Sequence, residues 1–148
     1  MTELHSVIVT KVLISIMCGT IFGIERQLRG KPVGIRTSIL IVVGTCFFIH
    51  LSAQIEGVAT DYSRVLGQVV TGIGFLGAGV ILTKDGLVLG MTSAAVIWVL
   101  AAVGAAIGFE QYISALMITI TCVIVLVLTR FLEGRFKDLL RGVHEDEE

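Results

Sequence analysis

The chain is poor in the residues that interrupt or solvate a polypeptide: it has one proline, one tryptophan and only 16% charged residues in 148. A single proline excludes proline-rich linkers and leaves long stretches free to be helical. That proline, Pro32, lies in a basic loop just before "VGIRT", so a helix start near Val33 or Thr37 is expected, since proline suits a first helical turn. The formal net charge of −1 excludes binding of nucleic acid by bulk charge. The three cysteines, Cys18, Cys46 and Cys122, form no C-x-x-C pair and have no histidine at ligand spacing, so they read as small buried hydrophobes. There is no H-E-x-x-H, no nucleophile elbow and no pair of carboxylates on one apolar run, so no enzyme chemistry is expected.

What the chain has in abundance is uninterrupted apolar sequence. Hydrophobic residues make up 55% of it, and the mean hydropathy is +0.94. Residues 37–55, 65–83, 86–109 and 111–129 carry no lysine, arginine, aspartate or glutamate, and 4–24 hold only Lys11. A helix crosses the bilayer core with about 20 apolar residues. The expected fold is therefore an all-α membrane protein, a compact bundle of five transmembrane helices at roughly 5–24, 37–55, 66–83, 90–108 and 112–129. The first run lacks a basic segment before it and a small-x-small site after it, so it reads as a retained helix and not a signal peptide. Residues 1–129 then form one transmembrane domain and 130–148 a cytoplasmic amphipathic tail. In that tail Phe131, Leu132, Phe136, Leu139 and Leu140 fall largely on one face, as in a short interfacial helix.

Lysine and arginine set orientation. Arg26, Arg29, Lys31, Arg36, Lys84, Arg130, Arg135, Lys137 and Arg141 fall on one side, against Lys11 and Arg64 on the other. This predicts an N-terminus outside and a C-terminus in the cytoplasm.

The stretch "TGIGFLGAG", residues 71–79, contains a G-x-G-x-x-G at Gly72, Gly74 and Gly77. In a dinucleotide fold that motif follows a strand and is answered by an acid about 20 residues on. Here that position is Thr92, with no acid nearby, and the motif lies within an uncharged span. The glycines read instead as helix-packing positions, because small residues let membrane helices approach closely. Gln68, Gly72, Phe75 and Gly79 fall on one stripe and Gly67, Gly74 and Gly77 on the other side, so this span is expected in the middle of the bundle. Two further pairs at GxxxG spacing, Gly19–Gly23 and Gly104–Gly108, add to the packing set.

Few polar residues accompany the spans. Glu25 and Arg26 end the first, and Glu25 is either an interfacial anchor or a carboxylate at the mouth of a pathway, steadied by Arg26 or Arg36. Gln68 and Thr71 either bond a neighbouring helix or meet water or a hydrated ion. Thr92 and Ser93 are expected to cap the fourth span, Asp85 to make a Lys-Asp-Gly turn, and His50 and Gln54 to be interfacial. Trp98, in mid-span, is expected to face protein, because its indole N–H needs a partner. Asp61 and Arg64 suggest an i,i+3 pair.

"GIERQLRGKPVGIRT" (23–37), "DYSRVLGQVVTGIGFLGAGVIL" (61–82) and "GMTSAAVIWVLAAVGAAIG" (90–108) together resemble the signature blocks of the MgtC/SapB membrane proteins. The resemblance implies a five-helix bacterial inner-membrane protein connected with magnesium homeostasis. Some family members act in adaptation to low magnesium and are described as restraining the proton-translocating ATP synthase. Those carry a soluble C-terminal domain resembling an ACT fold; with only a short tail after the last span, none is expected here, and the chain resembles the short SapB-type form. Some relatives have Asn at Thr92 and Cys at Val99, so a role resting on those groups does not carry over.

The function expected from this resemblance is Mg2+ transport or a channel-like activity. The alternative is a non-transporting regulator that binds another membrane complex, such as that ATP synthase. The available groups for an ion pathway or polar network are Glu25, Arg26, Arg36, Gln68, Thr71, Asp85 and Thr92, with Glu25 and Asp85 as metal-ligand candidates, since magnesium takes oxygen ligands. No cofactor is expected beyond Mg2+ as substrate. The expected partners are the lipid bilayer and a second copy, a homo-oligomer with a dimer favoured.

Overall fold

The structure, a computed structural model, describes residues 2–54, 62–84 and 87–135. Five helices follow one another: α1 (Thr2–Leu28), α2 (Ile35–Ser52), α3 (Tyr62–Ala78), α4 (Met91–Gly108) and α5 (Tyr112–Arg135). Between α3 and α4 lies a two-stranded antiparallel hairpin, β1 (Leu82–Lys84) and β2 (Leu87–Leu89), in which Thr83 pairs with Val88. Four helices are long and apolar enough to cross a membrane: α2 and α4 over their full length, α1 over His5–Leu28, and α5. α3 is 17 residues long, about 26 Å.

The helix ends follow from local chemistry. α1 closes in a Schellman motif, with Gly30 at φ 60°, its N–H on the Gln27 carbonyl, and the Lys31 N–H on that of Arg26. α2 begins at Ile35, after Val33, which is buried with φ 69° and whose carbonyl accepts from Ser38 Oγ at 3.1 Å. α4 is preceded by Gly90 at φ 89°, where a side chain would collide with the Val80 carbonyl. That position therefore admits only glycine. α4 closes in a second Schellman motif that puts Glu110, not glycine, in the left-handed position, at φ 64°.

α4 touches all four other helices, so it is the centre of the bundle. Ala, Gly and β-branched residues make its surface smooth enough for that. Leu100, Val103 and Ile107 are fully buried against Cys18 and Phe22 of α1, Val42 and Cys46 of α2 and Ala115 of α5. The cysteines of α1 and α2 are thus core residues with free thiols.

Glycines bring the axes together at two seams. At the α1–α2 seam, a Cβ on Gly19 would lie 2.7 Å from Ile39 Cα, and one on Gly23 would collide with Ile35 Cα. At the α2–α4 seam, a Cβ on Gly104 would lie 2.5 Å from the Val42 carbonyl oxygen, and one on Gly108 would lie 2.6 Å from Ile49 Cβ. Such closeness lets dispersion and backbone contact act where lipid supplies no hydrophobic drive.

Several expectations are corrected by this arrangement. α3 is not central: among the described residues it packs mainly on α4 and α2, and buries just Ile73 and Gly77. Gly67, Gly72 and Gly74 have open space where a Cβ would stand, Gly79 is exposed, and Gly77 makes only an ordinary contact with Ala94 at 3.8 Å. The third helix ends at Ala78, and the apolar residues after it form the turn and strand β1. Residues 130–135 continue α5 as one helix and do not form a separate interfacial helix; Phe136, Leu139 and Leu140 lie outside the described residues. Trp98 is 56% exposed on the bundle's flank, beside an apolar groove of about 190 Å³ between α3 and α4 lined by Leu66, Val69 and Ala102 among others. α4 has no side-chain cap, so neither Thr92 nor Ser93 plays that part.

Candidate functional site

Charge enters the interior of the bundle at two levels of α1, one turn or more from any other ionisable residue of that helix. Glu25, Arg26 and Arg29 form the level at its C-terminal end. Positions 25 and 29 are one turn apart and lie on the same face, while 26 is rotated by about 100° towards α4. Glu25 is 7% exposed and Arg26 4%.

The Arg29 Nε lies 2.8 Å from Glu25 Oε1, and the Arg26 Nη1 lies 4.0 Å from Oε2. Both carboxylate oxygens are buried and neither accepts a well-angled hydrogen bond, so Glu25 is held by charge. Arg26 turns its Nη2 to donate to Ser93 Oγ at 2.6 Å, which ties α1 to the start of α4. Its Nε is buried without an acceptor. Arg29 Nη1 donates to the Leu126 carbonyl at 3.0 Å, which ties α1 to α5. Two guanidiniums around one carboxylate leave this level with a net positive charge, and it grips three helices.

Of the residues expected to form a pathway, the structure brings together only Glu25 and Arg26. Arg36, Gln68, Thr71 and Thr92 are exposed. Thr71 Oγ1 donates back to the Gly67 carbonyl of its own helix at 2.9 Å. Gln68 therefore faces neither a packed helix nor a cavity within the chain. Asp85 and Asp61 lie outside the described residues. As a metal ligand Glu25 is poorly placed, because Arg29 already neutralises it, and a cation would have to displace that arginine. Among the described residues no three of His, Cys, Asp or Glu come together.

Sequence reasoning missed Arg29 and Ser93. Arg29 was legible in principle, because an E-x-x-x-R spacing on a helix is an i,i+4 pair. Ser93 was not, because its partner is 67 residues away. The second buried charge, Lys11, is 3% exposed, and its partners are His50, the Gly108 carbonyl and Glu110. His50 is thus buried at 8% exposure and not a free interfacial residue.

A profile of the MgtC family matches residues 12–135, a stretch that holds α1 from residue 12 on, the other four helices and the Glu25 level. The chain belongs to the MgtC family. This MgtC-family chain is 45% identical over 112 residues to an Escherichia coli K12 protein named "Putative magnesium transporter YhiD", covering 71% of this chain and 52% of that protein. It is 40% identical over 130 residues to an uncharacterized protein of Haemophilus influenzae, covering 79% and 55%. It is 35% identical over 131 residues to "Protein MgtC" of Salmonella typhimurium, covering 88% and 56%. The chain thus spans about half the length of the curated relatives it matches. No solved structure matches it.

Proposed function

We propose that the chain is a membrane protein of magnesium homeostasis that carries or conducts Mg2+. The observation that carries this reading is membership of the MgtC family together with a relative named for magnesium transport. The geometry adds a place to look. Glu25 is the only buried acid among the described residues, and it lies at one end of the bundle. In this reading Mg2+ reaches Glu25 only when Arg29 has let the carboxylate go, because that arginine holds it at 2.8 Å at rest. Two copies of the chain surround the pathway, since five helices alone make a thin wall.

The lysine and arginine count supports an orientation with the Glu25 end in the bacterial cytoplasm and the N-terminus outside. A reporter fused to the C-terminus should be active only in the cytoplasm. For transport, the chain is reconstituted in liposomes that hold a magnesium-sensitive dye. Uptake above that of empty liposomes, lost in Glu25→Gln, is the expected result. No uptake in either gradient direction overturns it.

One observation favours a second reading. A carboxylate already compensated by Arg29 and Arg26 suits a helix tie better than an ion relay. In that case the chain is a non-transporting regulator of another membrane complex. Crosslinking in native membranes separates the two, since a regulator yields crosslinks to a second protein.

A further inference from the structure

The Lys11 level has no place in the magnesium reading, and its chemistry is different. Lys11 lies well inside α1, yet it meets the ends of two other helices. Its Nζ is 3.0 Å from the Gly108 carbonyl at the end of α4, 3.1 Å from Glu110 Oε1 just beyond, and 3.0 Å from His50 Nδ1 near the end of α2. Three ammonium hydrogens meet three acceptors, and an ammonium cannot accept. His50 Nδ1 must therefore be the bare nitrogen of a neutral imidazole, with its proton on Nε2. The Nε2 stands 3.1 Å from the Gln54 amide. Since amide oxygen and nitrogen are assigned from such networks, the oxygen is the atom that faces it.

The charged and titratable groups that face His50 among the described residues are Lys11 from α1 and Glu110 from the α4–α5 turn, with the Cys46 thiol one turn inward on its own helix and Tyr112 of α5 beside Glu110. The Phe47 ring stands edge-on to the imidazole. Two further features mark this level. Glu110 occupies a left-handed position that glycine fills at lower energy, yet a carboxylate is there. Ser15, one turn inward from Lys11, is fully buried, with the Cys46 thiol beside it.

We propose that Lys11, His50 and Glu110 form a proton-binding site, in which His50 Nδ1 takes up one proton from the adjoining aqueous phase and Lys11 changes partners. The proton enters past Glu110, whose side chain is 57% exposed. It takes the Nδ1 lone pair that had accepted from Lys11, so two donors now face each other and that hydrogen bond breaks. The new Nδ1–H turns to the Glu110 carboxylate, and the displaced ammonium keeps the Gly108 carbonyl. The cluster goes from net neutral to net +1 and loosens α2 from α1 at this end. The inference stands whether or not the chain moves Mg2+.

The test is nitrogen NMR of the full chain, 15N-labelled at histidine, in lipid nanodiscs, with His50→Gln to assign the signal. At pH 7.5 His50 should be the Nε2–H tautomer with Nδ1 accepting a hydrogen bond. Lys11→Met should make protonation of His50 at least tenfold easier, because the neighbouring cation is gone. Glu110→Gln should make it at least threefold harder, which keeps the test alive if the first variant does not fold. The Tm of the wild type should fall on acidification, while His50→Gln, whose amide oxygen can still accept from Lys11, should lack that part of the fall. An Nδ1–H tautomer at pH 7.5, titration of His50 that neither variant alters, or an unchanged pH dependence of Tm in His50→Gln overturns the proposal.

Discussion

Replacing Gly104 by alanine and Gly72 by alanine adds the same methyl group to the same residue type in a helix, and the structure assigns them opposite signs. At Gly104 the new Cβ would stand 2.5 Å from the Val42 carbonyl oxygen, 2.8 Å from Thr45 Cβ and 3.2 Å from the Cys46 nitrogen. A carbon meets a carbonyl oxygen at about 3.3 Å or more, so α2 and α4 must part by about 0.8 Å. Two of those three atoms are backbone, which cannot rotate aside. The overpacking cost is therefore near the upper end of the usual range, about 3 kcal/mol. Alanine's better helix propensity returns about 1 kcal/mol, for a net loss of about 2 kcal/mol. At Gly72 nothing lies within 4 Å of the new Cβ, so only the propensity gain of about 0.5–1 kcal/mol remains. The assay is unfolding by SDS titration, followed by helical circular dichroism, in a detergent that keeps the chain monomeric. Thermal melts should place Gly104→Ala about 4–8 °C below wild type. Stabilities of the two variants within about 0.5 kcal/mol of each other, or a larger loss at Gly72, would refute the assignment of α4 rather than α3 to the centre.

Two other outcomes follow from single side chains. Ser93→Ala removes the acceptor of a buried guanidinium and should cost about 2 kcal/mol, while Thr92→Ala, at an exposed neighbour, should change unfolding by less than about 0.5 kcal/mol. Trp98 is the chain's one tryptophan and lies on the flank of the bundle, so bilayer lipids with brominated acyl chains should quench its fluorescence strongly; an unquenched signal would mean that another protein surface covers it.

Much of the fold is legible because the bilayer imposes a length rule. Uncharged runs of the right size mark four spanning helices to within a few residues. The third run was harder. Its apolar residues continue past Ala78, but they do so as a turn and a short strand, and hydropathy does not distinguish a strand from a helix. The glycines show the same limit. Gly19, Gly23, Gly104 and Gly108 sit at close helix crossings, whereas the denser glycines of α3 meet open space within the chain. Spacing identifies a smooth helix face but not what lies against it.

The candidate sites were legible in part. A glutamate and arginines at the end of α1 are visible in sequence, and the pair Glu25–Arg29 follows from helical spacing. Lys11 and His50 are 39 residues apart and each looks like a residue at a membrane surface. Only the crossing of α1, α2 and α4 reveals them as partners.

By itself the sequence determined a chain of apolar helices, its membership of the MgtC family and the residue types available for chemistry, because those depend on composition and local period. The tertiary structure decided which helix is central, which glycines touch a neighbour and which charges meet inside. Those depend on contacts between positions far apart in the chain, and a helix carries no mark of the partner its polar face will find.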